Sequence, residues 1–240
     1  MATFVLVHGI TCGTWAYKPV TERLRKLGHE VYPITNTGVG ERSHLNGPHV
    51  NLDTHIQDVV GTFLWNDITD AVLVGHSYGG MVITGVADRI PERIRALVYL
   101  DAFLPENGQA VNDIALPSRR EEIQKAVKER GQGWFLPPLG AHAFGKVDDP
   151  KLAAWIEGKC TPQPFATMAQ PIRLTGAWAK VPSKMYIVAE KYDPSPFQRF
   201  AKQLRGNNDW TVHALPGSHF LTLICPDETT QLLVEAAKSA

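Results

Sequence analysis

Residues 75–79 have the sequence GHSYG, and they lie between the apolar run DAVLV at 70–74 and the segment GMVITGVADRI at 80–90. The apolar run predicts a buried strand, and the apolar residues that follow at helical spacing predict a helix. A serine on so sharp a turn projects its hydroxyl above the edge of a sheet, and the flanking glycines avoid a clash there. We therefore predict Ser77 as a nucleophile; the alternative is a glycine-rich turn that only packs the helix against the strand.

A serine nucleophile needs a histidine as its base, and the chain has nine histidines. His219 lies in LPGSHF at 215–220, in a Pro-Gly-Ser turn after the last predicted strand, from which it can reach the sheet edge. His213 lies within that strand, His8 closes the first strand, and His76 points away from its neighbour because side chains alternate along a strand. These positions predict His219 as the base.

The base in turn needs a carboxylate that orients it, and two candidates follow predicted strands. Asp193 lies in AEKYDPSP at 189–196, and Asp101 lies in VYLDAF at 98–103. Both follow the carboxyl end of a strand, where α/β sheets place ligands and catalytic groups. We predict Asp193 as the acid and keep Asp101 as its rival. The structural alternatives are an Asp-Pro turn for Asp193 and a carboxylate that caps backbone donors for Asp101.

The hexapeptide HGITCG at 8–13 follows the first apolar run, TFVLV. Its glycines allow a tight loop whose backbone N–H groups come close to a substrate. Two such donors usually stabilise the oxyanion of acyl transfer, and we predict them at Ile10 and Tyr78. The loop lacks the Lys-Ser or Lys-Thr ending of a phosphate loop. Cys12 has no histidine that its position would pair with it, so we predict a small loop residue rather than a nucleophile.

Short apolar runs alternate with amphipathic segments along most of the chain. The predicted strands cover 3–8, 29–34, 70–76, 94–100, 184–189 and 209–215, and the predicted helices cover 17–28, 52–65, 78–90 and 227–238. Gly28 is expected to end the first helix, and Asp53 is expected to cap the second. The alternation predicts an α/β fold with a mostly parallel sheet of about six strands flanked by helices.

Residues 103–179 interrupt this alternation, because they contain helical pieces, prolines and several aromatic residues but no convincing strand. A stretch of that length is too long for a plain loop. We predict a helical cap insertion at 103–179, placed within a core formed by 1–102 and 180–240. The alternative is an ordinary packing insertion whose aromatic residues form a small core.

Composition excludes several functional classes. The 240 residues include 24 Lys and Arg and 24 Asp and Glu, with no block of like charge, so neither nucleic acid nor a membrane surface is an expected partner. No apolar run is long enough to span a bilayer, and there is no room for a signal peptide before the first strand. Three scattered cysteines fit neither a disulfide framework nor a zinc site. We predict a cytoplasmic protein without metal or cofactor, and the sequence leaves a homodimer open.

Taken together, the segments FVLVHGITCGTW at 4–15, VGHSYGGMV at 74–82 and LPGSHFLTLICPDE at 215–228 resemble the plant methylesterase and hydroxynitrile lyase family of α/β-hydrolases. NTGVGERSHL at 36–45 and LDTHIQDVV at 52–60 resemble its bacterial esterase relatives in particular. The resemblance covers nearly the whole chain. It implies the α/β-hydrolase fold, a cap over an apolar pocket, the triad Ser77, Asp193 and His219, and oxyanion donors at Ile10 and Tyr78.

Two positions separate the esterases of this family from its lyases. The lyases resembled here carry a Thr at the position of Gly9 and a Lys at the position of Phe220. Neither group is present, which favours an esterase. We expect a serine carboxylic ester hydrolase acting on small hydrophobic or aryl esters through an acyl-enzyme, with Gly9, Phe103, Trp134 and Phe220 near the substrate. The alternatives are a lyase-like or cofactor-free haloperoxidase activity on the same triad, and a small-molecule receptor that retains the fold.

Overall fold

The computed structural model describes residues 1–238, and for Ala143 and Phe144 it describes only the backbone. The strands are β1 (Thr3–Val7), β2 (Glu30–Ile34), β3 (Ala71–His76), β4 (Ile94–Leu100), β5 (Phe135–Leu136), β6 (Gln163–Pro164), β7 (Ser183–Ala189) and β8 (Thr211–Leu215). Six of them form one sheet in the order β2-β1-β3-β4-β7-β8, and every pair is parallel. The prediction of a mostly parallel sheet of about six strands is therefore confirmed.

The register of the central strands brings their carboxyl ends to one edge. Val7 lies opposite Gly75, and His76 lies opposite Leu100. Every residue of β3 is buried, as expected for a central parallel strand that is covered on both faces. The residues that follow β1, β3 and β4 therefore leave the sheet side by side, and Ser77 and Asp101 are neighbours at this edge.

Helices cover both faces of the sheet and the edge above it. They are α1 (Lys18–Lys26), α2 (Leu52–Trp65), α3 (Gly79–Arg89), α4 (Val111–Ile114), α5 (Pro117–Arg130), α6 (Ala141–Gly145), α7 (Pro150–Glu157), α8 (Ala166–Ala169), α9 (Gln198–Leu204), α10 (Leu221–Ile224) and α11 (Pro226–Ala236). Short 3-10 turns cover Thr14–Tyr17, Gly40–Leu45, Pro91–Arg93 and Ala177–Lys180. The four helices predicted in the core are present, and none of their ends differs from the prediction by more than two residues.

The ends of two helices test the predicted capping residues. Gly28 follows α1 with φ of 81° and donates its N–H to the carbonyl of Arg25, as expected for a glycine that ends a helix. The N-cap of α2 is Asn51, whose Oδ1 accepts the N–H of Thr54, while its own N–H donates to Thr54 Oγ1. The expectation of Asp53 as the cap is wrong, because Asp53 already lies in the first turn.

The stretch between β4 and β7 contains α4 to α8 and the two-residue antiparallel pair β5–β6, a strand pair that the sequence did not predict. Hydrogen bonds tie this stretch to the loop after β1. Thr161 donates its N–H to Thr11 O at 2.9 Å, and Thr11 donates its N–H to Gln163 Oε1 at 2.7 Å. The loop predicted to hold an oxyanion donor is thus fixed against residues of the insertion.

The turn between β3 and α3 leaves no space for a side chain at Gly80. A Cβ atom built there would lie 2.0 Å from the carbonyl oxygen of Phe103. Ser77 O accepts the N–H of Gly80 and that of Phe103, both at 3.1 Å, so the turn and the start of the insertion share one acceptor. Gly80, which follows the GHSYG motif, is therefore required by close backbone approach rather than by a positive φ.

The variant Gly80→Ala is expected to lower the free energy of unfolding by about 1–3 kcal/mol, because a backbone oxygen must move to admit the methyl group. Gly61→Ala is the matched control, since a Cβ there would meet only Trp65 Cδ1 at 3.8 Å inside α2. Replacing a helical glycine by alanine should raise the free energy of unfolding by about 0.5–1 kcal/mol. Urea unfolding measures both; equal stability of Gly80→Ala and the wild type would contradict the close approach.

Candidate active site

Ser77 occupies the sharp turn between β3 and α3. Its φ is 56°, in the left-handed region that non-glycine residues rarely adopt, and this conformation lifts its side chain above the sheet edge. The serine is 4% exposed, and its N–H donates to Leu100 O at 3.3 Å. The tight strand-to-helix turn predicted from GHSYG is present.

His219 and Asp101 complete a buried hydrogen-bonded chain with this serine. His219 Nε2 lies 3.0 Å from Ser77 Oγ, and His219 Nδ1 lies 2.6 Å from Asp101 Oδ2. The second oxygen, Asp101 Oδ1, accepts the N–H of Ala189 at 3.0 Å. The imidazole is 3% exposed and the carboxyl is 0% exposed, so the chain is shielded from water. This arrangement can pass a proton from the hydroxyl to the imidazole.

In the structure, His219 pairs with Asp101 and not with the predicted Asp193. Asp193 is exposed and lies four residues after the end of β7, whereas the two ring nitrogens of His219 are paired with Asp101 and Ser77. The inner positions of the loop after β7 belong to two aromatic residues instead. Tyr192 stacks on His219 with ring centroids 4.6 Å apart, and Phe197 stacks on it at 5.2 Å. Asp101 reaches the imidazole because β4 is the direct neighbour of β3.

Burial determines the charge states of His219 and Asp101 in this hydrogen-bonded group. Burial lowers the pKa of His219 well below its ordinary range, and the positive charge of Arg119 lowers it further. Burial also raises the pKa of Asp101, although the N–H of Ala189 stabilises the charged carboxylate. The imidazole is therefore uncharged at neutral pH, and its Nε2 is able to accept a proton from Ser77.

The pH dependence of activity should reflect the lowered pKa of His219. A base works in its neutral form, so kcat/KM should hold as the pH falls through 6.5 and decline only in more acidic solution. Arg119→Gln removes the positive charge, raises the pKa of His219 and should move this decline to higher pH. Arg120→Gln is the control, since Arg120 lies on the same helix but does not line the site. A pH profile in which both variants move equally would contradict the effect of Arg119.

Two further histidines support the site, and the sequence did not indicate either role. His76 donates from Nε2 to the carbonyl oxygen of His219 at 2.8 Å, and the two rings lie 4.6 Å apart. Burial lowers the pKa of His76 to about 3, which keeps it neutral. His55 Nδ1 lies 2.9 Å from Tyr78 Oη, and its Nε2 lies 2.8 Å from Thr37 O. These contacts fix the loop that carries His219 and the side chain of Tyr78, the residue after Ser77.

The predicted oxyanion donors lie beside Ser77. Ile10 lines both cavities that reach this serine, and Tyr78 follows it directly in the chain. Within residues 1–238, no backbone acceptor takes the N–H of Ile10 or of Tyr78. Both N–H groups thus remain available to an oxygen atom of a bound molecule. His8 closes β1 as a buried residue, with Nδ1 2.7 Å from Gly9 O and Nε2 accepting the N–H of Asn36 at 3.2 Å.

Two narrow cavities reach Ser77 and His219 from different sides. The first, the Phe220 cavity, is lined by residues that include Gly9, Ile10, Cys12, Ile156, Cys160 and Phe220. The second, the Arg119 cavity, is lined by residues that include Ile10, Phe103, Leu116, Arg119, Ile123 and Met168. The insertion contributes to both linings. Ser77 therefore borders two separate, largely apolar cavities of about 20 and 30 Å³.

The structure distributes the four predicted pocket residues unevenly. Gly9 and Phe220 line the first cavity, and Phe103 lines the second. Trp134 lines neither; its ring packs edge-on against Phe135 with centroids 4.9 Å apart. The structure therefore does not bring Trp134 to either cavity, and its carbonyl oxygen accepts the N–H of Phe165 at 2.8 Å. A Cβ atom on Gly9 would lie 3.0 Å from Ser77 Cβ, so the position is tightly packed against the nucleophile.

Within the described residues, no group of three or more His, Cys, Asp or Glu side chains is arranged to hold a metal ion. None of the helices in residues 1–238 combines the length and the apolar character needed to cross a membrane.

Comparison with known proteins agrees with the fold. The model of the alpha/beta hydrolase family matches residues 4–232. A carbendazim hydrolyzing esterase of Nocardioides sp. (strain SG-4G) is 42% identical over 241 residues, covering 97% of this chain and 98% of that protein. Methylesterase 7 of Arabidopsis thaliana is 30% identical over 149 residues, covering 61% of this chain and 53% of that protein.

A solved structure agrees in fold. An extracellular alpha/beta-hydrolase from a Paenibacillus species superimposes with a TM-score of 0.86 at 24% identity, covering 98% of this chain and 99% of that one. The resemblance inferred from the motifs and the predicted α/β-hydrolase fold are confirmed. The chain is therefore an enzyme of the alpha/beta hydrolase family.

Proposed function

We propose that the protein is a serine carboxylic ester hydrolase that acts on small hydrophobic or aryl esters. The observation that carries this proposal is the series of buried hydrogen bonds from Ser77 Oγ through His219 to Asp101. Ser77 and His219 border two largely apolar cavities. Its relatives in the family support it, since their names describe a carbendazim hydrolyzing esterase and methylesterases.

In the proposed acylation step, Ser77 Oγ attacks the ester carbonyl carbon while His219 Nε2 takes the hydroxyl proton. The carbonyl oxygen becomes negatively charged in the tetrahedral intermediate and accepts the N–H groups of Ile10 and Tyr78. Asp101 holds Nδ1–H and stabilises the imidazolium as it forms. His219 then gives its proton to the departing alcohol, and the acyl-enzyme remains on Ser77.

In the proposed deacylation step, His219 takes a proton from a water molecule, which attacks the acyl carbon. The second tetrahedral intermediate collapses, His219 returns the proton to Ser77, and the acid leaves. The two cavities let the alcohol depart while the acyl group is still bound. Residues 103–179 serve in this proposal as a cap, because they supply walls to both cavities.

The test is a screen of p-nitrophenyl esters of increasing acyl length, of methyl esters of aryl acids, and of carbendazim. We expect turnover with an initial burst of p-nitrophenol, as acyl-enzyme accumulates, and covalent labelling of Ser77 by a fluorophosphonate probe. Mandelonitrile is included in the same screen. Cyanide release without ester turnover, or a lack of both turnover and labelling, would overturn the proposal.

A further inference from the structure

Two thiols meet at the wall of the Phe220 cavity. Cys12 lies in the loop after β1 and is 2% exposed, whereas Cys160 follows α7 in the insertion and is half-buried. Both line the cavity, and Cys160 packs against the small cluster of buried side chains that contains Cys12 and Phe220. Both are free cysteines, and their side chains border the same cavity from opposite segments of the chain. The proposed ester hydrolysis uses neither group.

The backbone holds these two residues in place. Thr11 directly precedes Cys12, and Thr161 directly follows Cys160. Thr161 donates its N–H to Thr11 O at 2.9 Å. Thr161 Oγ1 also accepts the N–H of Gly40 at 2.7 Å, which anchors the same stretch of the insertion. A disulfide forms readily only when two backbones are already close and the sulfur atoms face each other. The Thr161–Thr11 bond keeps the two backbones close, and both cysteine side chains border the same narrow cavity.

The two thiols differ in reactivity. The neighbouring Cys12 thiol lowers the pKa of Cys160, and the partly exposed position of Cys160 gives a reagent access to it. The neighbouring Cys160 sulfur and burial raise the pKa of Cys12. Cys160 is therefore the thiol that reacts first, and Cys12 is the one that resolves the product. The third cysteine, Cys225, is buried between α10 and α11, and burial raises its pKa.

We propose that Cys12 and Cys160 form an intramolecular disulfide by exchange with a low-molecular-weight disulfide such as oxidised glutathione. The Cys160 thiolate attacks one sulfur of that disulfide, and the first thiol leaves. Cys12 then loses its proton and attacks Cys160 in the mixed disulfide, and the second thiol leaves. Two protein thiols are oxidised while one small disulfide is reduced to two thiols. The product ties the insertion covalently to the loop that carries Ile10.

This cross-link has a consequence that rests on the proposed function. The Phe220 cavity is narrow, and residues of the insertion form part of its wall. A bulky ester must displace that wall to reach Ser77, and a bond between Cys12 and Cys160 restricts the displacement. Oxidation should therefore lower kcat/KM severalfold for bulky esters and less for small ones.

The first experiment does not depend on esterase activity. Full-length protein is incubated with oxidised glutathione, denatured, and assayed for free thiols, and its peptides are mapped by mass spectrometry. We expect the three free thiols to fall to one and a peptide that joins Cys12 to Cys160. Cys225→Ser should still form the cross-link, and Cys160→Ser should not. Three surviving thiols, a lasting glutathione adduct on Cys160, or a disulfide between two molecules would overturn the proposal.

The second experiment compares oxidised and reduced protein in stability and activity. The cross-link constrains the unfolded chain over residues 12–160, so the thermal midpoint should rise and then return after reduction. The activity comparison uses a small and a bulky p-nitrophenyl ester. A mapped disulfide with an unchanged ratio of the two kcat/KM values would overturn the link to the cavity wall. Lack of activity in both the oxidised and the reduced protein would instead count against the proposed hydrolase function. It would not contradict a disulfide mapped by mass spectrometry.

Discussion

Ser77→Ala is expected to lower kcat for ester hydrolysis on the order of 10⁶-fold, the effect of removing the nucleophile from a serine hydrolase. His219 would then lack the hydroxyl that it deprotonates at 3.0 Å, and no acyl-enzyme could form. Any remaining catalysis would come from binding and from the N–H groups of Ile10 and Tyr78. The initial burst of p-nitrophenol should disappear together with the fluorophosphonate label.

Ser218→Ala is the matched control for this experiment. Ser218 is a buried serine next to His219, and within the described residues its Oγ has no hydrogen-bond partner. Removing that hydroxyl should leave kcat close to the wild-type value. Circular dichroism and the thermal midpoint of Ser77→Ala confirm that the fold is retained. If Ser77→Ala kept full activity while folded, the role assigned to the strand-to-helix turn would be wrong.

The second large effect is expected at Asp101. Asp101→Asn should lower kcat by about 10⁴-fold through the tautomer of His219. In the wild type, Asp101 Oδ1 accepts the N–H of Ala189, and Oδ2 accepts Nδ1–H of the imidazole. The asparagine keeps its one oxygen on Ala189 and turns its amide toward Nδ1. The imidazole then carries its proton on Nε2, where it can no longer accept the proton of Ser77.

Asp193→Asn provides the comparison. This side chain is exposed, and the ring nitrogens of His219 are paired with Asp101 and Ser77, so kcat should stay within about twofold of the wild type. The pair of variants is measured with the same ester at the pH of maximum activity. A severe loss in Asp193→Asn together with a mild one in Asp101→Asn would show that the loop after β7, rather than the end of β4, supplies the acid.

The order of elements was predictable because it depends on local patterns. Six apolar runs predicted the six strands of the main sheet, since central parallel strands are buried on both faces. The turn at Ser77 and the loop at His219 were also marked locally, by glycines and by the Pro-Gly-Ser sequence. Small errors, such as Asp53 in place of Asn51 as the cap of α2, came from choosing between polar residues two positions apart.

The acid was not predictable from the same patterns. Asp101 and Asp193 both follow a strand and both stand between Ser77 and His219 in the chain, so chain order could not separate them. The deciding facts are that β4 pairs with β3 and that Tyr192 turns inward while Asp193 turns outward. Sheet order and side-chain orientation in a loop are long-range properties, and single-sequence patterns do not contain them.

The contacts of His76 and His55 could not be predicted from the sequence for a related reason. His76 donates to the backbone of a residue 143 positions later in the chain. His55 Nδ1 meets the hydroxyl of Tyr78, which lies 23 positions later, only because the fold brings the two together. In the insertion, an aromatic composition indicated apolar walls but not which rings form them. Phe103 lines a cavity, whereas Trp134 packs on its neighbour.

The position of Asp101 has a consequence for how this enzyme can diversify. Because Ser77 and Asp101 follow adjacent strands, both hydrogen-bond partners of the His219 ring lie outside the loop from Lys191 to Phe197. Its aromatic residues stack on the imidazole and border one cavity, so they influence which molecules fit. Sequence changes in this loop can alter substrate preference while the reaction chemistry stays intact. The loop is thus a favourable target for directed evolution of substrate preference.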